Sequence, residues 1–472
     1  MKARVVPSSW LRRPGLRLGA AAYTSGAIEA RQLLDSLSRK SEALIDVTHG
    51  HQGGIYRPPI FQMQFSRNLV DSASHGVPFL TSTAMLLADL RNLPLVSGKV
   101  AQSKKFGMLR LSPGMTLISC SGTIGRAVYS RPDMDGVWSS QDIIKINPDP
   151  QRVPPGYVFA FLSSRFGVPL LTSGTYGAII KHIEREHLLD VPMPRLGNRL
   201  EQAAHKLVEE AAARRCEASA NLANGIDTME KGAGLPSLEH ELSPTPFSAT
   251  TVSSGEIQRR FDAFFHSRYH SEARDALCRA KVSPRNVAEL SEQIFEPARF
   301  KRVEVEDPEF GIPFFGTAAL MWAEPTMSYL LARSTKDLST YIVDANTLLI
   351  PRSGQLAGII GTAVLPYGDL VGGAVSEDAI RIRCRDENDA GYLLIALSSA
   401  YGVRQLKARA CGSSIPHLDV TQVGEVLVPD LSGDIRDVVA QLGASTARLR
   451  AEAIALERRA RSMVEEAIER AA

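Results

Sequence analysis

Gly156–Val168 reads GYVFAFLSSRFGV, and 235 residues further on Gly391–Val403 reads GYLLIALSSAYGV. The glycines, the tyrosine, the Ser-Ser pair and the closing valine coincide, and the residues between them keep their apolar character. Sliding the chain along itself tests for a repeat. GVPFLTSTAML (Gly76–Leu86) then falls on GIPFFGTAALM (Gly311–Met321), and DVPMPRL (Asp190–Leu196) on EVLVPDL (Glu425–Leu431). A spacing of 235 residues far exceeds solenoid repeats of ~20 to 50 residues, so a domain has been duplicated in tandem.

Between these anchors, TLISCSGTIGRAV (Thr116–Val128) corresponds to TLLIPRSGQLAGIIGTAV (Thr347–Val364), with five extra residues after the Ser-Gly pair. Insertions are tolerated in loops, so a loop follows Ser-Gly. QDIIKI (Gln141–Ile146) meets EDAIRI (Glu377–Ile382), and RLGAAAYTS from Arg17 resembles RFDAFFHSR from Arg260 at a slightly larger offset. Short apolar runs such as MTLIS, IIKI, TLLIP and AIRIR, punctuated by Gly, Pro and Asp, read as strands and turns, whereas PPGYVFAFLSSRFGVPLL reads as helix. Each module is therefore predicted to be a mixed α/β or α+β domain.

Each module ends in a heptad pattern. Ile435, Leu442, Leu449, Leu456 and Met463 recur every seven residues, with a second row at Val439, Thr446, Ala453, Ala460 and Ala467. This is an a/d seam. Leu200, Ala204, Leu207 and Ala211 stand 235 residues before Ile435, Val439, Leu442 and Thr446, and the first seam weakens at Arg214. Two readings are open: two unrelated amphipathic surface helices, or two long helices packed side by side, with small residues letting the axes approach. On the second, Leu442, Leu449 and Leu456 are expected against the first helix around Leu200 and Leu207. The boundaries follow: a first module over 1–198, its helix over 199–232, a Gly/Pro/Ser/Thr-rich linker over 233–255, a second module over 256–433 and its helix over 434–472.

At 472 residues, 44% hydrophobic and 22% charged, with no apolar run long enough to span a bilayer, the chain reads as globular with more than one core. The N-terminal stretch lacks a continuous apolar core, which points away from a secretory signal and toward the cytoplasm. Cys120, Cys216, Cys278, Cys384 and Cys411 are too scattered for a zinc site or disulfide framework, and His49 with His51 and His182 with His187 lack neighbours of metal-site spacing. No metal is expected.

Net charge is +3, but unevenly placed: residues 1–198 carry 23 Lys and Arg against 13 Asp and Glu, and residues 256–433 carry 19 against 23. Residues 90–132 hold seven basic residues, Lys99, Lys104, Lys105 and Arg110 among them, and no acid. That window is either a solvated loop or a phosphate-contacting surface.

Nucleotide-loop, zinc-protease and lipase motifs are missing, and NPDP (Asn147–Pro150) lacks the aromatic that would stack on a flipped base, so it reads as a turn. The candidate contacts are the Ser-Gly loops: Ser119, Ser121, Thr123 and Arg126 in one copy, Arg352, Ser353 and Gln355 in the other. A plain hairpin turn is the competing reading; the favourable one is that Arg and Gln read guanine and adenine edges. A second matched pair, TSGTYGAIIKHI (Thr172–Ile183) and KARACGSSIPHL (Lys407–Leu418), lies in acid-free windows. It adds Thr175, Tyr176 and Lys181, and Arg404, Lys407, Arg409 and Ser413. Arg333 and Lys336 complete the set.

The RFDAFFHS and RLGAAAYTS openings, the GIPF and GVPF strands, the LIPRSG and LISCSG loops, the YLLIALSS segment and the paired heptad helices together resemble the DNA specificity subunit of type I restriction-modification systems, or a similar subunit of a methylation-based phage-defence system. The likeness spans essentially the whole chain. It implies two target recognition domains, each gripping half of a bipartite sequence in double-stranded DNA, and an antiparallel coiled coil as spacer. It implies no catalysis and no cofactor on this chain. S-adenosylmethionine is expected on partner adenine-methyltransferase subunits, two copies of them, with a restriction translocase as a further partner and no membrane. The first module departs in lacking the aspartate that RFDAFFHS has at Asp262. Two other classes stand beside this: a methyltransferase or nuclease with a diverged active site, against which the missing motifs speak, and a coiled-coil scaffold that binds only protein, against which the basic window speaks.

Overall fold

The structure is a computed structural model and describes residues 5, 23–37, 41–50, 53–57, 69–70, 76–101, 104–121, 124–173, 182–238 and 249–471. It forms two units of mixed α+β architecture, one drawn from Met1–Leu86, Leu93–Cys216 and Glu452–Ala472, the other from Leu87–Asn92 and Glu217–Ala451. Each long helix, Asn198–Ala233 and Gly433–Ala471, contributes a part to both.

The repeated GY…LSS…G stretch shows why the same fold is built twice. The stretch is helical, as the sequence predicts, and is divided into two helices in each unit, Pro155–Leu162 and Gly167–Thr172 in the first, Glu387–Ser398 and Ala400–Arg409 in the second. The second serine makes the break: Ser164 Oγ accepts the Gly167 N–H at 3.1 Å, and Ser399 Oγ accepts that of Gly402 at 3.2 Å, each satisfying a helix-start donor. Glycine is required at both places, since a Cβ on Gly167 or Gly402 would collide with the carbonyls of Phe161 or Ala396 in the preceding helix. The tyrosine is a tether. Tyr157 donates its hydroxyl to the Pro194 carbonyl at 2.6 Å, and Tyr392 donates to that of Pro429.

Two sheets recur in each unit. In the first, Ile55–Tyr56, Ile143–Ile146, Thr116–Ser119 and Ala127–Tyr129 form an antiparallel sheet in that order, over which Tyr157, Val158, Phe161 and Leu162 pack against Ile118, Ile144 and Ile146. Burying each such side chain contributes ~1.5 to 3 kcal/mol. The second unit repeats it with Gln293–Phe295, Ala379–Arg383 and Thr347–Pro351. The other sheet has a parallel pairing in both units, Phe79 opposite Trp138 and Phe314 opposite Ala374.

The long helices pair antiparallel within each unit. In the first, the Arg215 guanidinium forks onto Glu457 at 3.0 and 2.9 Å, and Arg214 meets Glu452 at 3.3 Å. In the second, Thr446 Oγ1 lies 3.5 Å from the Ala218 carbonyl, and Asn221 donates to Ser445 at 3.3 Å. Two expectations are corrected. The fully buried row is the small one, Val439, Thr446, Ala453 and Ala460 facing Ala204, Ala211 and Ala218, because only small side chains allow this close approach. Leucines flank it: Leu442, Leu456, Met463, Leu200 and Leu207 are half-buried, Leu449 is buried, and Ile435 is 44% exposed. Leu200 lines a groove with Met463, Glu466, Ala467 and Arg470, while Leu449 sits one turn from Thr446, level with Ala218 rather than with Leu200 or Leu207. Nor does the first seam weaken at Arg214. Its helix continues through buried Ala218, Leu222 and Met229, with Arg215 carried across the seam by Glu457.

Candidate nucleic-acid interface

In the second unit the strand Thr347–Pro351 ends at Arg352, whose N–H bonds the Asp378 carbonyl at 3.0 Å and whose carbonyl accepts Leu418 N–H at 2.8 Å. The Ser-Gly loop is thereby laid against the segment that follows the helix Ala400–Arg409. Ser353 bridges His417, with Ser353 Oγ 2.7 Å from His417 Nδ1. Gly354, at φ 140°, donates to Pro416 O at 3.2 Å, and the Gln355 side-chain amide donates to Ser414 O at 3.1 Å. His417 and Cys411 exchange backbone bonds of 2.7 and 2.9 Å, closing a hairpin that exposes Ser413, Ser414 and Ile415.

The first unit repeats the frame. Cys120 N–H bonds the Asp142 carbonyl at 3.0 Å, the Cys120 carbonyl accepts Ile183 N–H at 3.0 Å, and Ser121 bridges His182. Thus the two loop pairs that sequence comparison matched separately are neighbours, in the same way, in both units. Thr123, Thr175, Tyr176 and Lys181 lie outside the described residues.

Other candidates are placed differently. Ser119 is 1% exposed, and its hydroxyl accepts the Arg126 N–H at 3.1 Å, so it closes the turn and has no outward face. Arg404 is buried, paired with Glu272 at 3.1 Å and stacked on Tyr269. Arg409 is buried too, donating to the Gln405 and Glu425 carbonyls at 3.3 and 3.1 Å, and burial pulls its guanidinium down to about 10. Both are structural, and the positive face expected from that acid-free window is not built from them. Lys407 is half-buried; Arg333, Lys336, Gln355 and Ser413 are exposed, and Arg126 is half-buried.

The basic window of the first module is acid-free in sequence but not in space. Arg91 is held by Asp89 at 2.7 Å, Arg131 by Asp133 at 2.9 Å and Arg110 by Asp135 at 3.7 Å, through acids just outside it. Lys99 is exposed, and Lys104 and Lys105 open the 3-10 turn Lys104–Leu109.

Sequence reasoning missed Glu296, which ion-pairs with Arg352, and Arg57, which bonds Glu184 at 2.6 Å and the Gln141 carbonyl at 3.2 Å. A signal was there: Ile55-Tyr-Arg-Pro and Ile294-Phe-Glu-Pro are the same strand end. Among the described residues, no group of three or more His, Cys, Asp or Glu side chains could hold a metal ion, and no helix is long and apolar enough to cross a membrane.

No family model and no curated protein matches the chain. Among solved structures it is similar to the S subunit of a type I restriction-modification system from M. genitalium, at 12% identity and a TM-score of 0.32, over 96% of this chain and 94% of that one. It is also similar to the HsdS subunit from Thermoanaerobacter tengcongensis, at 14% identity and a TM-score of 0.27, over 90% and 95%. A third similar structure, described as underlying complex assembly and conformational transition of the type I R-M system, aligns at 14% identity and a TM-score of 0.28, over 92% and 98%.

Proposed function

We propose that the chain is a non-catalytic DNA specificity subunit, of a type I restriction-modification system or a closely similar methylation-based phage-defence complex. It reads a bipartite target in double-stranded DNA and directs adenine-N6 methyltransferase subunits to it. One module over 1–198 takes one half-site and one over 256–433 the other, and the helices over 199–232 and 434–472 set the separation. S-adenosylmethionine belongs to the partner methyltransferase, two copies of which dock, with a restriction translocase as a further subunit.

The observation that carries this reading is the duplicated loop frame. Identical backbone bonding at Cys120–Ile183 and Arg352–Leu418 presents different side chains, which is what two readers of two different sequences require. Phosphate contacts are assigned to Lys99, Lys104, Lys105, Arg110, Lys181, Arg333, Lys336 and Lys407, and base contacts to Thr123, Arg126, Thr175, Tyr176, Arg352, Gln355 and Ser413, with Ser121 and Ser353 at the base of their loops. Purified alone, the chain should neither methylate nor cut DNA yet select duplexes that share a split motif. Methyl transfer by the polypeptide without partners would mean that it is an enzyme instead.

A further inference from the structure

His182 and His417 occupy the same position in the two modules, 235 residues apart, in otherwise dissimilar loops, TYGAIIKHI and CGSSIPHL. Each is bridged to the serine of the Ser-Gly loop in its own unit, Ser121 to His182 and Ser353 to His417. The next residue in each case donates its N–H to the carbonyl before that serine, at 3.0 Å from Ile183 and 2.8 Å from Leu418. In the second unit the side chains join as well, Ser353 Oγ to His417 Nδ1 at 2.7 Å, and the bonds from Gly354 to Pro416 O and from Gln355 to Ser414 O continue the seam outward. The loop ahead of each histidine has diverged while the histidine and serine have not, so the pair belongs to the frame and the neighbours to the readout.

We propose that the serine–histidine pair of the second module, where the side chains join, is a clasp that fixes its Ser-Gly loop at the base, making His417 a positioning residue for half-site discrimination. The inference rests on the reading of the chain as a two-module DNA reader. A bidentate base contact discriminates only if its donors are held in place, and Gln355 and Arg352 flank the clasped serine on either side. Released from His417, the loop still offers the same side chains but no longer at one fixed height.

The test is selection from a library of randomised duplexes by the full chain with its methyltransferase partner, comparing the native chain with His417→Ala, His417→Asn and Ser353→Ala. An asparagine amide can still reach the serine hydroxyl. His417→Ala and Ser353→Ala should each lower discrimination in one half-site by roughly tenfold and leave the other half-site and the salt dependence unchanged, and His417→Asn should restore most of it. The clasp is overturned if the alanine variants lose affinity for all sequences alike, if both halves relax together, or if asparagine fails to rescue; should His417→Ala not fold, Ser353→Ala and His417→Asn decide alone. A native chain that selects no split motif instead refutes the DNA-reader assignment, a result distinguishable from failure of the clasp.

Discussion

Beside the Ser-Gly loop, the two modules place different charges on the same pair of backbone positions. In the first, the strand end carries Arg57 and the loop base carries Cys120; in the second, the strand end carries Glu296 and the loop base Arg352. Arg57 turns to Glu184, and Cys120 is a buried thiol that burial pushes up to about 11, so it stays protonated. Arg352 is instead held by Glu296 at the edge of the loop. The frame was kept while the strand-end charge changed sign and the loop base gained a cation. A charge of either sign is tolerated there only with a partner supplied by the same module. The middle strand repeats the lesson. Lys145 and Arg381 are both buried opposite an aromatic residue, Tyr56 and Phe295, but Arg381 donates to the Val375 and Ser376 carbonyls at 2.7 and 2.9 Å, whereas Lys145 Nζ has no hydrogen-bond partner among the described residues.

The largest effects are expected where the frame itself is broken. Ala453→Asp in the helix seam, or Leu449→Asp in the buried flank beside it, introduces an unpaired buried charge and should cost about 3 to 5 kcal/mol, read as loss of soluble, assembled protein. Ile435→Asp, on the same heptad but 44% exposed, should stay within about 0.5 kcal/mol. Equal losses at all three would mean that the leucine row is the seam after all.

Next come the buried cations. Lys145→Met removes an amine that has no hydrogen-bond partner among the described residues and should stabilise by about 1 to 3 kcal/mol, while Arg381→Met orphans carbonyls and should destabilise by a similar amount. Burial pulls the Lys145 ammonium down to about 7, against ~10.4 in the unfolded chain. Between those values the unfolded chain binds more protons, so stability climbs as pH rises from 7 toward 10; below 7 both states are protonated and the penalty is complete. Urea midpoints across pH 7 to 10 measure this. The same rise persisting in Lys145→Met would exonerate Lys145.

Readout effects are of similar size but confined to one half-site. Arg352→Ala should relax one half-site by ~1 to 3 kcal/mol and spare the other. Glu296→Gln, which leaves the arginine but loosens its anchor, should relax the same half less. If both halves degrade together under Arg352→Ala, that arginine does not read bases. The smallest effect belongs to Lys99→Ala, which should weaken every sequence about equally and lower the salt slope by roughly one. An altered preference at constant slope would move Lys99 from phosphate to base contact.

The duplication, the strand anchors and the two long helices were legible because they are written as periodicity and repetition, which survive divergence. What was not legible is spatial. Heptad spacing marks which residues share a helix face, but not whether the leucines or the alanines form its centre; that is seen only where Thr446 meets the Ala218 carbonyl and Arg215 forks onto Glu457. Counting acids along the chain made residues 90–132 look bare, yet Asp89, Asp133 and Asp135 fold back onto their own neighbours. Arg404 and Arg409 read as surface cations until Glu272, Tyr269 and the Glu425 carbonyl, distant in sequence, enclose them.

The most direct test sequences adenine methylation in cells that carry the complete system and in cells where this chain alone is deleted, then repeats it with Arg352→Ala restored in its place. Two different half-sites separated by a fixed unread gap should lose methylation on deletion, and Arg352→Ala should return the motif with one half relaxed and the other intact. Loss of an undivided motif, or a methylation pattern that deletion leaves unchanged, would contradict the assignment of one half-site to each module.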